Sequence, residues 1–129
     1  MPKTVDDLLN EARATFDRVA PRQAHDELLG GALLIDTRTP QQLIEHGHIP
    51  GAIEIGLNVL EWRLDPSSDS HIPQATDHDV RLIVLCQQGY SSSLAAARLQ
   101  TLGLHRASDV IGGFEAWRDA GLPIERDEV

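Results

Sequence analysis

The stretch VRLIVLCQQGYSSSLAAARLQTLG, residues 80–103, decides the fold. Residues 81–86 are an almost continuous apolar run, which is typical of a β-strand buried on both faces. Residues 92–103 predict a helix that ends at Gly103. A short loop joins the two, and the only cysteine of the chain, Cys86, stands where the strand ends. A strand linked to a helix in this way predicts one unit of an α/β domain.

The same alternation of strand and helix continues on both sides of this unit. Further short apolar runs that predict strands are residues 32–36, 52–55 and 107–112. Segments with helical character are residues 21–31, 39–47, 58–65 and 113–121. Residues 66–79 are rich in Pro, Ser and Asp without periodicity and predict a surface loop. Short connections between alternating elements indicate an α/β fold with a mostly parallel sheet.

Residues 1–20 precede this alternation and predict an amphipathic helix over residues 5–19. Its apolar positions recur at helical spacing, and they are Val5, Leu8, Leu9, Ala12, Phe16 and Val19. We expect the apolar face to pack on the domain formed by residues 21–127. The alternative is that this face forms a dimer contact.

The composition limits the classes of partner. The chain has 129 residues and a formal net charge of −9, from 11 Lys and Arg against 20 Asp and Glu. Phosphate backbones and anionic lipid surfaces repel an acidic chain, so we expect neither nucleic acid nor a membrane as partner. No apolar run is long enough to span a bilayer. A single cysteine excludes an intramolecular disulfide, and its free thiol is typical of the cytoplasm, the compartment we expect.

Cys86 lies at the carboxyl end of its predicted strand, where open α/β sheets bind ligands. Residues 87–92 include a glycine and small polar side chains and lead into a helix, so their backbone N–H groups and the positive helix end can form a nest for an anion. Such surroundings lower the pKa of a thiol below about 8.5 and favour a thiolate nucleophile. The alternative is a buried core cysteine, because free Cys is among the most buried residue types.

Four landmarks follow one another along the chain. They are LLIDTRTPQQ (33–42), GHIPGAIEI (47–55), CQQGYS (86–91) and GGFEAW (112–117). In this order and spacing they resemble the landmarks of single-domain rhodanese-like sulfurtransferases, over roughly residues 20–125. The resemblance is closest to a group, many of them actinobacterial, with Tyr-Ser or Tyr-Thr in the loop and NVLEWRLDP in the middle. It implies a mostly parallel central sheet of about five strands, flanked by helices on both faces.

The resemblance also implies a reaction. In such enzymes the loop cysteine takes the outer sulfur of a donor, such as thiosulfate or a persulfide, and passes it to a thiol or to cyanide. Cys86 would be the nucleophile and persulfide carrier, and the loop that cradles the sulfur would be Gln87, Gln88, Gly89, Tyr90, Ser91 and Ser92. No metal and no organic cofactor is implied. The expected partners are a small sulfur donor and a thiol acceptor, which a protein can also supply, and the chain would be a monomer or weak homodimer.

The loop departs from related loops at three positions. Phosphatases on a similar plan need an arginine six positions after the cysteine, where this chain has Ser92. A hydroxyl cannot replace a guanidinium fork, so phosphatase or arsenate reductase activity is not expected. The commonest sulfurtransferase loop is basic at the positions of Gln87 and Ser91. Without those charges, the rival to an efficient enzyme is a weakly active module that binds a partner or senses persulfides or oxidation.

Other residues have a structural and a functional interpretation. Arg63 could supply the missing charge and Trp62 a pocket wall; alternatively Arg63 is solvated and Trp62 packs in the core. Asp36 and Arg38 are expected to fix loops near the site by pairing and capping rather than to take part in chemistry. His48 could act as a base for Cys86, but a loop that stabilises the thiolate needs none. The histidines have no metal-ligand spacing and are expected on the surface.

Overall fold

The computed structural model describes residues 1–127. Its helices are α1 (Val5–Arg13), α2 (Pro21–Leu29), α3 (Pro40–His46), α4 (Leu60–Leu64), α5 (Ser91–Thr101) and α6 (Gly113–Asp119), and a 3-10 turn (Leu57–Val59) precedes α4. Its strands are β1 (Leu33–Asp36), β2 (Ile53–Glu54), β3 (Leu82–Leu85) and β4 (Ala107–Asp109). The alternation of strand and helix predicted from the sequence is therefore confirmed.

The strands form one parallel sheet in the order β2-β1-β3-β4. The strand that precedes Cys86, β3, lies between β1 and β4, and its four residues are all fully buried. The expected number of about five strands is too high by one within residues 1–127. The backbone of Val19 forms only an isolated parallel bridge with Val110 beside β4, because the chain leaves the sheet on either side of that pair.

Each face of the sheet packs against its own group of helices. One core cluster contains Leu82, Val84 and the apolar side of α5, and the other contains Ile83, Leu85, Phe114 and Trp117. Alternate residues of β3 serve the two clusters because successive side chains of a strand point to opposite faces. A strand buried on both faces holds its last residues rigidly, and Cys86 is the residue that follows it.

The first helix is shorter than the predicted range of residues 5–19. It ends at Arg13, since residues 14–20 leave helical conformation to reach β4, where Val19 N donates to the Asp109 carbonyl at 3.0 Å. Leu9 and Ala12 are buried against the domain, whereas Val5 and Leu8 are exposed. Within residues 1–127, no helix has the length and apolar character needed to cross a bilayer.

Candidate active site

Cys86 lies at the carboxyl edge of the sheet, at the base of a cavity of about 310 Å³. Its side chain is buried, with 6% of its surface exposed. The residues that line the cavity are Thr37, Arg38, Thr39, Gln42, Leu57, Cys86, Gln87, Gln88, Tyr90 and Ser91. Five of the seven residues predicted as nucleophile and loop, Cys86 included, thus line the cavity, while Gly89 and Ser92 do not.

Backbone amides surround the sulfur atom. Gly89 N donates to Cys86 Sγ at 3.1 Å, and Ser92 N donates to it at 3.4 Å. Gly89 makes this loop possible with φ = +88°, a conformation that residues with a side chain rarely adopt. Ser91 begins α5, so the positive end of an eleven-residue helix also faces the sulfur. This arrangement favours the thiolate over the thiol.

The carbonyls of the loop point away from the sulfur because another element binds them. Phe114 N donates to the Cys86 carbonyl at 2.8 Å, and Glu115 N donates to the Gln87 carbonyl at 3.1 Å. These donors belong to the first turn of α6, whose N–H groups have no partner within the helix. The GGFEAW landmark is therefore part of the site: it binds the loop carbonyls and leaves the amides to the sulfur.

The pKa of Cys86 is lowered from its ordinary value. Burial alone would raise it, but hydrogen bonds from the Ser92 and Ser91 side chains and from the Ser92 and Gly89 amides together outweigh burial. The Ser92 hydroxyl has a single proton, and its oxygen also lies 2.8 Å from Asp109 Oδ2 as a donor. We therefore assign the lowered pKa of Cys86 to the amides and Ser91 before the Ser92 hydroxyl.

A buried carboxylate anchors the start of α5 from behind. Asp109 is fully buried and accepts hydrogen bonds from the hydroxyls of Ser92 and Ser93, at 2.8 and 2.7 Å. Arg18 binds the same carboxylate through Nε at 2.8 Å. Sequence reasoning missed Asp109, Ser93, Arg18 and Arg13 as residues near the site. The sequence predicts a strand at Asp109, a helix at Ser93 and an amphipathic helix at Arg13 and Arg18, and none of these patterns indicates a polar network.

Asp36 and Arg38 form a buried ion pair beside the cavity, as expected of a structural pair. Arg38 donates to Asp36 through Nε at 3.0 Å and through Nη2 at 2.8 Å, and Nη2 also donates to the Gly47 carbonyl at 2.9 Å. The guanidinium stacks on the Phe114 ring, 3.8 Å from its centroid. The pair holds the β1–α3 connection against Phe114 of α6, and residues 37–39 of that connection form one wall of the cavity.

Arg63 and Trp62 do not line the cavity, contrary to their assignment as possible pocket residues. Arg63 Nη1 donates to the Ser70 carbonyl at 2.8 Å, so it holds the loop of residues 66–79 instead. Trp62 is 60% exposed, and it is therefore neither a pocket wall nor a core residue. The α4 helix turns its buried side, Leu60 and Leu64, toward the sheet and leaves both side chains outside.

His48 also lies outside the cavity of Cys86. It forms ion pairs with Glu54 through Nδ1 and with Asp127 through Nε2. The hydrogen bond to Glu54 first, and that to Asp127 second, raise the pKa of His48. His48 thus ties residues near β2 to the end of the described chain rather than acting as a base for Cys86. Within residues 1–127, no group of three or more His, Cys, Asp or Glu side chains is placed to hold a metal ion.

A model of the rhodanese-like domain matches residues 20–120. The thiosulfate sulfurtransferase GlpE of Stutzerimonas stutzeri is 37% identical over 114 residues, which cover 88% of this chain and 95% of that protein. The enzyme of the same name from Pseudomonas syringae is 38% identical over 103 residues, covering 80% and 88%. These relatives support no particular subgroup, so the actinobacterial type remains a prediction.

Solved structures give the same result for the fold. A protein of unknown function from Rhodopseudomonas palustris, described as a possible tyrosine phosphatase, superposes with a TM-score of 0.85 at 32% identity, covering 97% of this chain and 99% of that one. A polysulfide-sulfur transferase homodimer from Wolinella succinogenes superposes with a TM-score of 0.75, covering 93% and 85%. At 22% identity, the second likeness concerns the fold alone.

Proposed function

This chain belongs to the rhodanese-like domain family, and we propose that it is a sulfurtransferase that carries sulfur as a persulfide on Cys86. The observation that carries the proposal is the pair of amides, Gly89 N and Ser92 N, that donate to Cys86 Sγ. Relatives named thiosulfate sulfurtransferase match along most of their length, which supports the same reaction type here.

In the first half-reaction, the Cys86 thiolate attacks the outer sulfur of the donor. A sulfur–sulfur bond forms on Cys86 while the sulfur–sulfur bond of the donor breaks. With thiosulfate the leaving group is sulfite, which takes the electron pair; with a persulfide it is the thiolate. Charge is conserved, because the thiolate becomes a persulfide anion. The lowered pKa of Cys86 raises the fraction of thiolate, the attacking form, at a given pH.

In the second half-reaction, a thiolate or cyanide attacks the outer sulfur of the Cys86 persulfide. The acceptor leaves as a persulfide or as thiocyanate, and the Cys86 thiolate is regenerated with the electron pair of the broken bond. Between the two half-reactions, the outer sulfur of the persulfide needs hydrogen-bond donors of its own. Within residues 1–127, the amides of Gln88 and Tyr90 donate to no protein acceptor, so they are free for it.

The charges around the cavity favour donors with little negative charge. Arg38 is the only cationic side chain among the lining residues, and its charge is matched by Asp36. A thiosulfate dianion would therefore depend on backbone amides, hydroxyls and the α5 dipole. The reacting group of a persulfide carries one negative charge and needs less compensation. We propose that the enzyme accepts persulfides of small thiols at least as well as thiosulfate.

Phosphate-ester hydrolysis is not proposed, even though one structural neighbour is described as a possible tyrosine phosphatase. The residue six positions after the cysteine is Ser92, whose side chain is buried against Asp109 rather than facing a ligand. A trigonal phosphoryl group needs a forked cation on the cavity side of the loop.

The acceptor is a small thiol or a thiol presented by a protein. We propose that the chain works in the cytoplasm, where its single cysteine stays reduced, and as a monomer or a weak homodimer. These proposals rest on cysteine usage and on the exposed parts of α1.

Steady-state kinetics test the reaction. Thiocyanate formation from thiosulfate and cyanide should give parallel double-reciprocal lines, the pattern of a double displacement, and Cys86→Ser should abolish it. The same assay with a glutathione persulfide as donor should give an equal or higher kcat/KM. No turnover with either donor would favour the rival interpretation, a module that binds partners or senses persulfides.

A further inference from the structure

Two arginines from outside the matched domain contact the loop that holds Cys86. Arg13 ends α1 and Arg18 lies between α1 and α2, so both precede residue 20, where the match to the family model begins. Arg13 Nη2 donates to the Gly89 carbonyl at 2.8 Å, and Arg18 Nη2 donates to the same oxygen at 3.0 Å. One loop carbonyl therefore accepts hydrogen bonds from two guanidinium groups.

The two arginines differ in their remaining partners. Arg18 binds the Asp109 carboxylate through Nε and Nη2, at 2.8 and 3.1 Å, so its charge is neutralised. Arg13 donates through Nε to the Ser93 hydroxyl at 3.0 Å and lies 5.8 Å from the centroid of the Tyr90 ring. Within residues 1–127, Arg13 forms no ion pair with a carboxylate. A net positive charge therefore remains directly behind the loop.

The Gly89 carbonyl and the Tyr90 N–H belong to the same peptide group. In a planar trans peptide these two groups point in opposite directions. Because the arginines hold the carbonyl, the Tyr90 N–H points away from them, and it has no protein acceptor within residues 1–127. An N–H whose own carbonyl accepts charged hydrogen bonds is polarised and becomes a stronger donor.

We propose that Arg13 and Arg18 are positioning residues for sulfur transfer: they orient the Gly89–Tyr90 peptide toward the bound anion, and Arg13 adds positive charge behind the loop that only partly replaces the charges missing at Gln87 and Ser91 inside the cavity. The N-terminal segment is then a functional part of the site and not only a packed flank. The consequence for sulfur transfer rests on the proposed function, but the effect on the Cys86 thiolate requires no sulfur donor.

The test is the pH dependence of Cys86 alkylation by iodoacetamide in the full chain. Arg13→Gln keeps an amide that can donate to Gly89 but removes the charge, and Arg13→Lys keeps the charge. We expect the midpoint of the profile to move to higher pH in Arg13→Gln and to stay close to the wild-type value in Arg13→Lys. Arg98→Gln is the matched control, because Arg98 of α5 lines a groove together with residues of α1 but pairs with Glu61 at 3.6 Å.

Thermal unfolding and circular dichroism identify variants that lose the fold. If Arg13→Gln does not fold, Arg13→Met replaces it, because methionine is also neutral and long. An unchanged midpoint in the neutral variant, or an equal shift in Arg13→Lys or Arg98→Gln, would overturn the proposal. Loading of Cys86 from thiosulfate at neutral pH should slow about tenfold in Arg13→Gln, because a charge-assisted hydrogen bond becomes a neutral one. If wild-type Cys86 is never loaded while the alkylation shift is present, the proposed function fails and the positioning role stands.

Discussion

Gly113 lies so close to the Cys86 carbonyl that a Cβ atom on residue 113 would overlap the oxygen. The same Cβ would lie 2.7 Å from Gly89 N, the amide that donates to the sulfur. The start of α6 and the loop after β3 are therefore packed backbone against backbone. This contact explains why the chain needs glycine in the GGFEAW landmark.

Gly113→Ala should lower both the free energy of unfolding and the kcat/KM of sulfur transfer. Alanine at a positive φ costs about 1–2 kcal/mol, and overpacking adds about 1–3 kcal/mol. Gly121→Ala is the control, because Gly121 has φ = +74° but no atom within 4 Å of the added Cβ. Chemical denaturation should find Gly113→Ala the less stable of the two. Thiocyanate assays should find at least tenfold lower kcat/KM in it alone; equal activity losses would mean that the contact has no role in the site.

The alkylation rate of Cys86 should rise with pH through a midpoint below about 8.5, the ordinary pKa of a cysteine. Its pKa is lowered in the fold, so the thiolate contributes stability that is fully present above about 8.5 and is lost as the pH falls through the lower folded value. The free energy of unfolding of the wild type relative to Cys86→Ser should therefore decrease as the pH falls. A midpoint at or above 8.5 would contradict the amide nest as the source of reactivity.

His48 should make the fold more stable on the acid side. Its pKa is raised by hydrogen bonds to Glu54 and then Asp127, so the contribution is fully present below about 6.5 and is lost as the pH rises through the higher folded value. His48→Gln should have the same thermal midpoint as the wild type at alkaline pH and a lower one at acid pH. Glu54→Gln should also lower the thermal midpoint at acid pH relative to the wild type, because it removes the first partner of His48. If the thermal midpoint of both variants depends on pH as it does in the wild type, other groups cause the effect.

Adding charge at position 91 should change which donor is preferred. Ser91→Arg places a guanidinium among the residues that line the cavity, and Ser91→Gln adds similar bulk without charge. The KM for thiosulfate should fall several-fold in Ser91→Arg relative to Ser91→Gln, because a dianion gains more from a cation than a monoanionic persulfide does. The gain should shrink at high salt. An equal gain for both donors would contradict the idea that charge limits thiosulfate use.

Much of the site could be predicted from the sequence because its signals are local. The apolar run before Cys86 and the Gly-containing loop before a helix predict a strand and an amide nest, and they favour a nucleophile over a core cysteine at position 86. The structure places Gln87, Gln88, Tyr90 and Ser91 around one cavity, as those signals indicate. The strand count was one too high because a single bridge at Val19 does not extend into a strand.

The rest depends on contacts between residues far apart in the chain. Arg13 and Gly89 are 76 positions apart, and Arg18 and Asp109 are 91 apart, so no local pattern links them. The sequence suggests Arg63 as the residue that could supply the missing charge. The orientation of α4 sends it to Ser70 instead, and only packing of α4 on the sheet decides that.

The central claim is that Cys86 receives and releases one sulfur atom. Intact-mass analysis of the protein after incubation with thiosulfate, and separately with a glutathione persulfide, tests it most directly. We predict a gain of one sulfur that is confined to Cys86, absent from Cys86→Ser and removed by cyanide with formation of thiocyanate. A wild-type protein that keeps its original mass with both donors would contradict the account.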